Sequence, residues 1–136
     1  MVPINDLKSK LIQKGFADGK GNPKYLGKFL ALSDHEIVNR YNYLLRGLMT
    51  FYKMSENRSR LGEILYIIEY SLAHTLAAKH RSTLAKIFQK YGKPIKVTTK
   101  DQTIVFDKPE NLTDEYLNKK YPVINPLSKT QNVDPF

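Results

Sequence analysis

The sequence predicts a mainly α fold: a small helical bundle of three main helices, then a C-terminal β-hairpin and an irregular tail. Three observations carry this. Between Ile37 and Tyr91, apolar residues recur at steps of three and four, the period of helices with one buried face. Past Gly92-Lys93-Pro94 the period shortens to two, as in a strand, and past Lys108 the chain holds Pro109, Pro122, Pro126 and Pro135 among polar residues. With 136 residues, 41% hydrophobic and 26% charged, the chain suits one domain with a real core, assigned to residues 1–108, and a loosely held tail over 109–136.

Pro3 at the first turn, the stripe Ile4, Leu7, Leu11 and Ile12, and Gly15 as a stop define a short first helix. Asp18-Gly19-Lys20-Gly21-Asn22-Pro23 then reads as a turn, and Tyr25 to Leu32 as an extended approach, so residues 16–32 are mostly loop. Ser33 with Glu36 three residues on forms a capping box, in which the side chains satisfy backbone N–H groups left open at a helix start. The helix it opens carries Ile37, Tyr41, Leu44, Leu45, Leu48 and Tyr52 on one face and runs to about Lys53, with a break over Met54 to Asn57. A second long helix, from about Glu56 to Lys79, carries Leu61, Ile64, Leu65, Ile68, Leu72 and Leu76 and is the central rod of the core. Ser82 is the expected cap of a third, with Leu84, Ile87, Phe88 and Tyr91 buried and Gly92-Lys93-Pro94 ending it. Ile95, Val97 and Thr99 alternate with polar residues and face Thr103 to Phe106 across a turn, the pattern of a hairpin. In the tail, one short helix near Thr113 to Lys119 is the most the prolines allow.

Charge separates the chain into unequal parts. Residues 1–36 hold 6 Lys/Arg against 4 Asp/Glu, residues 37–93 hold 10 against 3, and residues 94–136 hold 6 against 6, so the net charge of +9 sits mostly in the middle. A solubilising face mixes both signs, so this concentration points to nucleic acid, with an anionic membrane surface as the competitor. No apolar run approaches a membrane span and no secretory signal is present, so the chain reads as soluble, with no membrane partner. With no cysteine, disulfides, thiolate zinc sites and a cysteine nucleophile are excluded.

The first long helix carries a polar stripe, Asn39, Asn42, Arg46, Thr50 and Lys53, opposite its apolar face, where amides and hydroxyls could meet phosphate or sugar and Arg46 and Lys53 supply charge. Gly47 costs roughly 1 kcal/mol relative to Ala inside a helix, which implies close approach of a helix or an RNA backbone. Lys79, His80 and Arg81 gather at the end of the central helix, where the dipole favours cations, and Lys86, Lys90 and Lys93 follow on one face of the third. This run exceeds what capping needs and reads as phosphate-contacting. Ser71, His74 and Thr75 are not a nucleophile with its base, because no acid is placed to orient His74; they are a small polar patch for helix packing. His35, His74 and His80 lack metal-ligand spacing and no carboxylate cluster suggests a two-metal site, so neither metal, cofactor nor catalytic residue is expected. Tyr43, Tyr66 and Tyr70 could stack on unpaired bases where exposed, although core packing is the expectation for most tyrosines.

Three segments together carry a family likeness: Arg46-Gly47-Leu48-Met49-Thr50-Phe51-Tyr52, Ser71-Leu72-Ala73-His74-Thr75-Leu76-Ala77-Ala78-Lys79-His80-Arg81, and Phe88-Gln89-Lys90-Tyr91-Gly92. Over roughly residues 3–106 the chain resembles the maturase domain of group II intron-encoded proteins, with matching order and spacing. It departs at Thr50, where the family often has Asn, and at Phe51, where it often has Tyr, which removes or alters the hydrogen bonds available there. The resemblance implies a helical, thumb-like domain that follows a reverse transcriptase and holds intron RNA in its splicing-active fold, the RNA performing the chemistry. The chain has neither a Tyr-Ala-Asp-Asp polymerase motif nor a His/Asn nuclease motif, so on its own it is expected to be non-catalytic.

Three roles follow. In the first, a splicing factor binds group II intron RNA, with Arg46, Lys53, Lys79, Arg81, Lys86 and Lys90 on phosphates and a log-affinity slope against log salt of about −5. In the second, the chain is the thumb of a reverse transcriptase gripping template–primer; in the third, a protein-interaction domain. Richness in Lys, Asn, Tyr and Ile suggests an AT-rich coding sequence and, with the family likeness, an organelle genome, mitochondrial first, with bacterial cytoplasm as the alternative.

Overall fold

The computed structural model describes residues 3–52, 60–109 and 119. Four α-helices and one two-stranded antiparallel sheet make up their regular structure: α1 (Ile4–Lys14), α2 (Asp34–Tyr52), α3 (Leu61–Lys79), α4 (Leu84–Tyr91), β1 (Lys96–Thr98) and β2 (Thr103–Val105). The mainly α bundle with a hairpin is as the sequence predicts. α3 is the central rod, packed against α1, α2 and α4. Ile64, Leu65, Ile67, Ile68, Leu72 and Leu76 bury more than one of its faces, which no single amphipathic stripe would do.

α1 buries Ile4, Leu7 and Leu11 and stops at Gly15, whose φ of 94° is left-handed. There the Phe16 N–H donates to the Leu11 carbonyl (2.9 Å) and the Gly15 N–H to the Ile12 carbonyl (3.1 Å), the paired bonds of a Schellman cap. A Cβ at Gly15 would stand 3.0 Å from Leu26 Cδ1, so conformation and space both favour glycine. α3 ends in the same pattern, Ser82 N–H to Ala77 carbonyl (2.8 Å) and Arg81 N–H to Ala78 carbonyl (3.3 Å), but the left-handed residue is Arg81, with φ 52°.

The expected turn forms at Asp18, whose Oδ1 accepts from the Lys20 and Asn22 amides (2.9 and 3.0 Å). Tyr25 to Leu32, however, is not extended: a 3₁₀ turn over Gly27–Phe29 folds it onto the bundle. The reason lies in a buried polar knot on α3. Tyr41 Oη lies 2.8 Å from Ser71 Oγ and 3.0 Å from Thr75 Oγ1; Ser71 donates to the Lys24 carbonyl (2.7 Å), and Thr75 Oγ1 accepts the Leu26 N–H (3.0 Å). Phe16 and Phe29 close edge-on over the Tyr41 ring at 5.6 and 5.8 Å. Ser71 and Thr75 are thus the packing patch expected, with Thr75 also bonding back to the Ser71 carbonyl. Burial pushes the Tyr41 hydroxyl up to about 12 and lowers His74, leaving both neutral near pH 7.

Two helix starts differ in detail. Ser33 Oγ accepts the Glu36 N–H (3.2 Å), but the Glu36 carboxylate meets Arg40 Nε (3.0 Å), an i,i+4 pair along the helix. The cap of α4 is Thr83 rather than Ser82, because the backbone of Ser82 is already used to close α3; Thr83 Oγ1 accepts the Lys86 N–H (3.2 Å). In the hairpin, Lys96, Val97 and Thr98 pair with Val105, Ile104 and Thr103, and Ile95, Val97 and Phe106 bury against the bundle. The expected break at Met54 to Asn57, the start of the second long helix at Glu56, and the tail lie outside the described residues, apart from buried Pro109 and helical Lys119.

Candidate nucleic-acid interface

The polar stripe of α2 divides once folded. Asn42 does not face solvent: it is 0% exposed, its Nδ2 donates to the Val105 carbonyl (2.8 Å), and its Oδ1 accepts the Asp107 N–H (2.8 Å). A side chain spent on both edges of a buried seam cannot also meet a sugar or phosphate, so Asn42 is a clamp holding the hairpin on α2. Arg46 is exposed but pairs with Asp107 (3.2 Å), so the clamp and the ion pair share one anchor. Asn39, Gly47 and Thr50 are half-buried, and Lys53 lies outside the described residues. Within the first family-like segment, Leu48 and Met49 are core and Phe51 is exposed, set edge-on to Tyr52 at 4.8 Å.

The cations at the end of α3 also divide. Asp34, at the start of α2, gathers Lys79 Nζ (2.9 Å), His80 Nε2 (2.8 Å) and Tyr91 Oη (2.6 Å), tying three helix ends to one carboxylate. Burial alone would raise Asp34, but the hydrogen bonds from Tyr91, Lys79 and His80 outweigh it and hold the carboxyl below its usual range. Burial, then the bond to this carboxylate, pushes the Tyr91 hydroxyl well above its ordinary value. Lys79 and His80 therefore belong first to a structural knot, one that periodicity does not reveal because Asp34 lies 45 residues away in sequence.

Arg81, Lys86 and Lys90 are different. All three are exposed, and among the described residues none has an acidic partner. Arg81 projects from the turn between α3 and α4; Lys86 and Lys90 stand one turn apart on the outer face of α4, with Lys90 Nζ 5.1 Å from the Tyr91 ring centroid. Lys93 extends the series: its Nζ accompanies the Tyr70 hydroxyl (2.8 Å) and lies 4.9 and 5.3 Å from the Tyr70 and Phe88 ring centroids. That hydrogen bond raises the Lys93 ammonium above its ordinary value, so the group stays charged. The outcome is a strip of four cations along the α3–α4 corner, able to neutralise phosphates at separate points.

The type II intron maturase family profile matches residues 1–133. The chain belongs to that family. Curated relatives of this maturase domain include Maturase K of Chaetosphaeridium globosum, 40% identical over 102 residues covering 75% of this chain and 20% of the relative. Maturase K of Marchantia polymorpha is 30% identical over 95% of this chain and 32% of its own length. The putative COX1/OXI3 intron 1 protein of Saccharomyces cerevisiae is 30% identical over 99% of this chain and 17% of its own length. The domain thus spans about a fifth to a third of these relatives. Among the described residues, no helix is long and apolar enough to cross a membrane.

Proposed function

We propose that this maturase domain is a non-catalytic RNA-binding module that binds group II intron RNA and stabilises its splicing-active fold. The observation carrying the reading is the α3–α4 strip: Arg81, Lys86 and Lys90 are exposed cations without acid partners among the described residues, on a frame pinned by Asp34. Arg46 is a secondary contact, since its half-exposed guanidinium can leave Asp107 for a phosphate at modest cost. Lys79 and His80 support the strip rather than form it. Family membership supplies the RNA class, and the COX1/OXI3 intron in one relative's name, with the Lys- and Asn-rich composition, supports an organelle setting, mitochondrial first.

A second reading rests on a specific fact: the relatives extend well beyond the length matched here. In it, the same strip is the thumb of a longer reverse transcriptase and grips template–primer. The test is binding of the chain to a structured group II intron RNA and to an unrelated RNA of equal length across a salt series. Tighter intron binding that persists at high salt supports the splicing module. Equal, steeply salt-sensitive binding to both supports the thumb, and no salt-dependent binding to either overturns both.

A further inference from the structure

We propose that the outer face of α3 carries a platform for unpaired RNA bases, with Tyr66 as the ring that a base covers. This rests on the RNA-binding reading above and adds to it a kind of RNA and a site apart from the phosphate strip.

Tyr66 is 51% exposed, although its ring is not isolated. Tyr70 lies against it at a centroid distance of 4.5 Å and an interplanar angle of 31°, Tyr70 leans on Phe88 at 5.5 Å, and Lys93 is anchored over both. One side of the Tyr66 ring is thus braced by a supported stack, and half of the residue remains open to solvent. A ring held in place this way loses little freedom when a base stacks on it. Tyr43 makes the contrast: it is 79% exposed, but among the described residues no aromatic ring packs against it.

Beside Tyr66 opens a cleft of about 500 Å³, between α1, the turn at Gly21 and the start of α3. Its electrostatics suit a nucleotide. The acid on its wall, Glu63, is bound by Lys8 (2.8 Å) and Arg60 (3.1 Å), which hold it below the usual carboxylate range, and Lys20 adds a further cation. The wall is therefore net positive. At Gly21 and Gly62 a Cβ would meet nothing within 4 Å, so a sugar–phosphate backbone has room to come close. A braced, half-open aromatic ring between a basic cleft and an anchored lysine fits an unpaired base with a phosphate on either side; a base inside a duplex has no free face to offer.

The chain contains no tryptophan, so Tyr66→Trp introduces a sole tryptophan at the platform, which can be excited apart from the tyrosines. Its emission should be quenched on titration with a single-stranded oligoribonucleotide and change little with a hairpin duplex of equal length, while Tyr43→Trp should respond to neither. Tyr66→Ala should weaken single-strand binding by about tenfold, the scale of one lost base–aromatic stack, and Tyr66→Phe should retain it. Unchanged single-strand affinity in Tyr66→Ala, with wild type binding normally, overturns the platform and leaves the intron-binding reading standing. Equal quenching by duplex overturns the preference for unpaired bases. Failure of wild type to bind any RNA overturns the underlying reading and the platform with it.

Discussion

Replacing Arg81 by glycine should make the fold more stable and its hold on RNA weaker. The α3 terminus repeats the hydrogen-bond pattern that closes α1, yet α1 places Gly15 in the left-handed position and α3 places an arginine there. A side chain with a Cβ costs about 1–2 kcal/mol in that conformation, offset in part because glycine loses more freedom on folding. The net gain from Arg81→Gly is about 1 kcal/mol, or an increase in Tm of roughly 4 °C for a domain of this size. The same change removes an exposed cation, which should flatten the log-affinity slope against log salt by about 0.7–0.9. Thermal unfolding and RNA binding over 50–300 mM salt read both effects, and Arg81→Ala separates them by losing the charge while keeping the strain. If Arg81→Gly does not raise Tm, the strain argument is wrong. If the salt slope is unchanged, Arg81 does not meet phosphate.

Other perturbations test the supports of the interface. Asp34→Asn removes the carboxylate shared by Lys79, His80 and Tyr91 and should cost about 2 kcal/mol in denaturant unfolding at neutral pH. Because Asp34 is lowered on folding, its stabilisation is complete above the ordinary carboxylate value and is lost as pH falls through the folded value, so the penalty should shrink below about pH 4. Asn42→Leu strands the Val105 carbonyl and the Asp107 N–H; it should cost about 2–3 kcal/mol and speed exchange at the Asp107 amide, leaving RNA affinity of the folded fraction unchanged. Thr75→Val leaves the Leu26 N–H without its acceptor and should cost about 1–3 kcal/mol, with faster exchange confined largely to the 16–32 loop.

The helices were legible because their stripes have the right period and their ends carry local signals such as Ser33 and Gly15. The hairpin was legible because Ile95, Val97 and Thr99 alternate. What sequence reasoning could not see were partnerships across long separations. Asn42 shares its stripe with Arg46 on a helical wheel, and only its position under the hairpin, 63 residues away, turns it inward. Lys79 and His80 read as surplus charge until Asp34 is folded beside them. Tyr25 to Leu32 looks extended because its fold is dictated by the Ser71 hydroxyl, which donates to the Lys24 carbonyl, and by Thr75 Oγ1, which accepts the Leu26 N–H, not by its own propensities. At the candidate site Arg81, Lys86, Lys90 and Lys93 stay exposed as the sequence suggests, although Lys93 rests on Tyr70, 23 residues away. The three family-like segments serve the frame as much as the surface: Met49, Ser71, Thr75 and Tyr91 all hold helices together.

With Lys79 held by Asp34, the four strip cations Arg81, Lys86, Lys90 and Lys93 give an expected salt slope of about −3.6 on duplex-like RNA, which the secondary contact at Arg46 steepens to at most about −4.5. The most direct test is that slope on group II intron RNA for wild type and for the combined variant Arg81→Ala, Lys86→Ala and Lys90→Ala, with folding checked by circular dichroism. Loss of two to three units of slope from a folded variant is the predicted result. A folded variant that keeps the wild-type slope and affinity would contradict the placement of intron RNA on the α3–α4 corner.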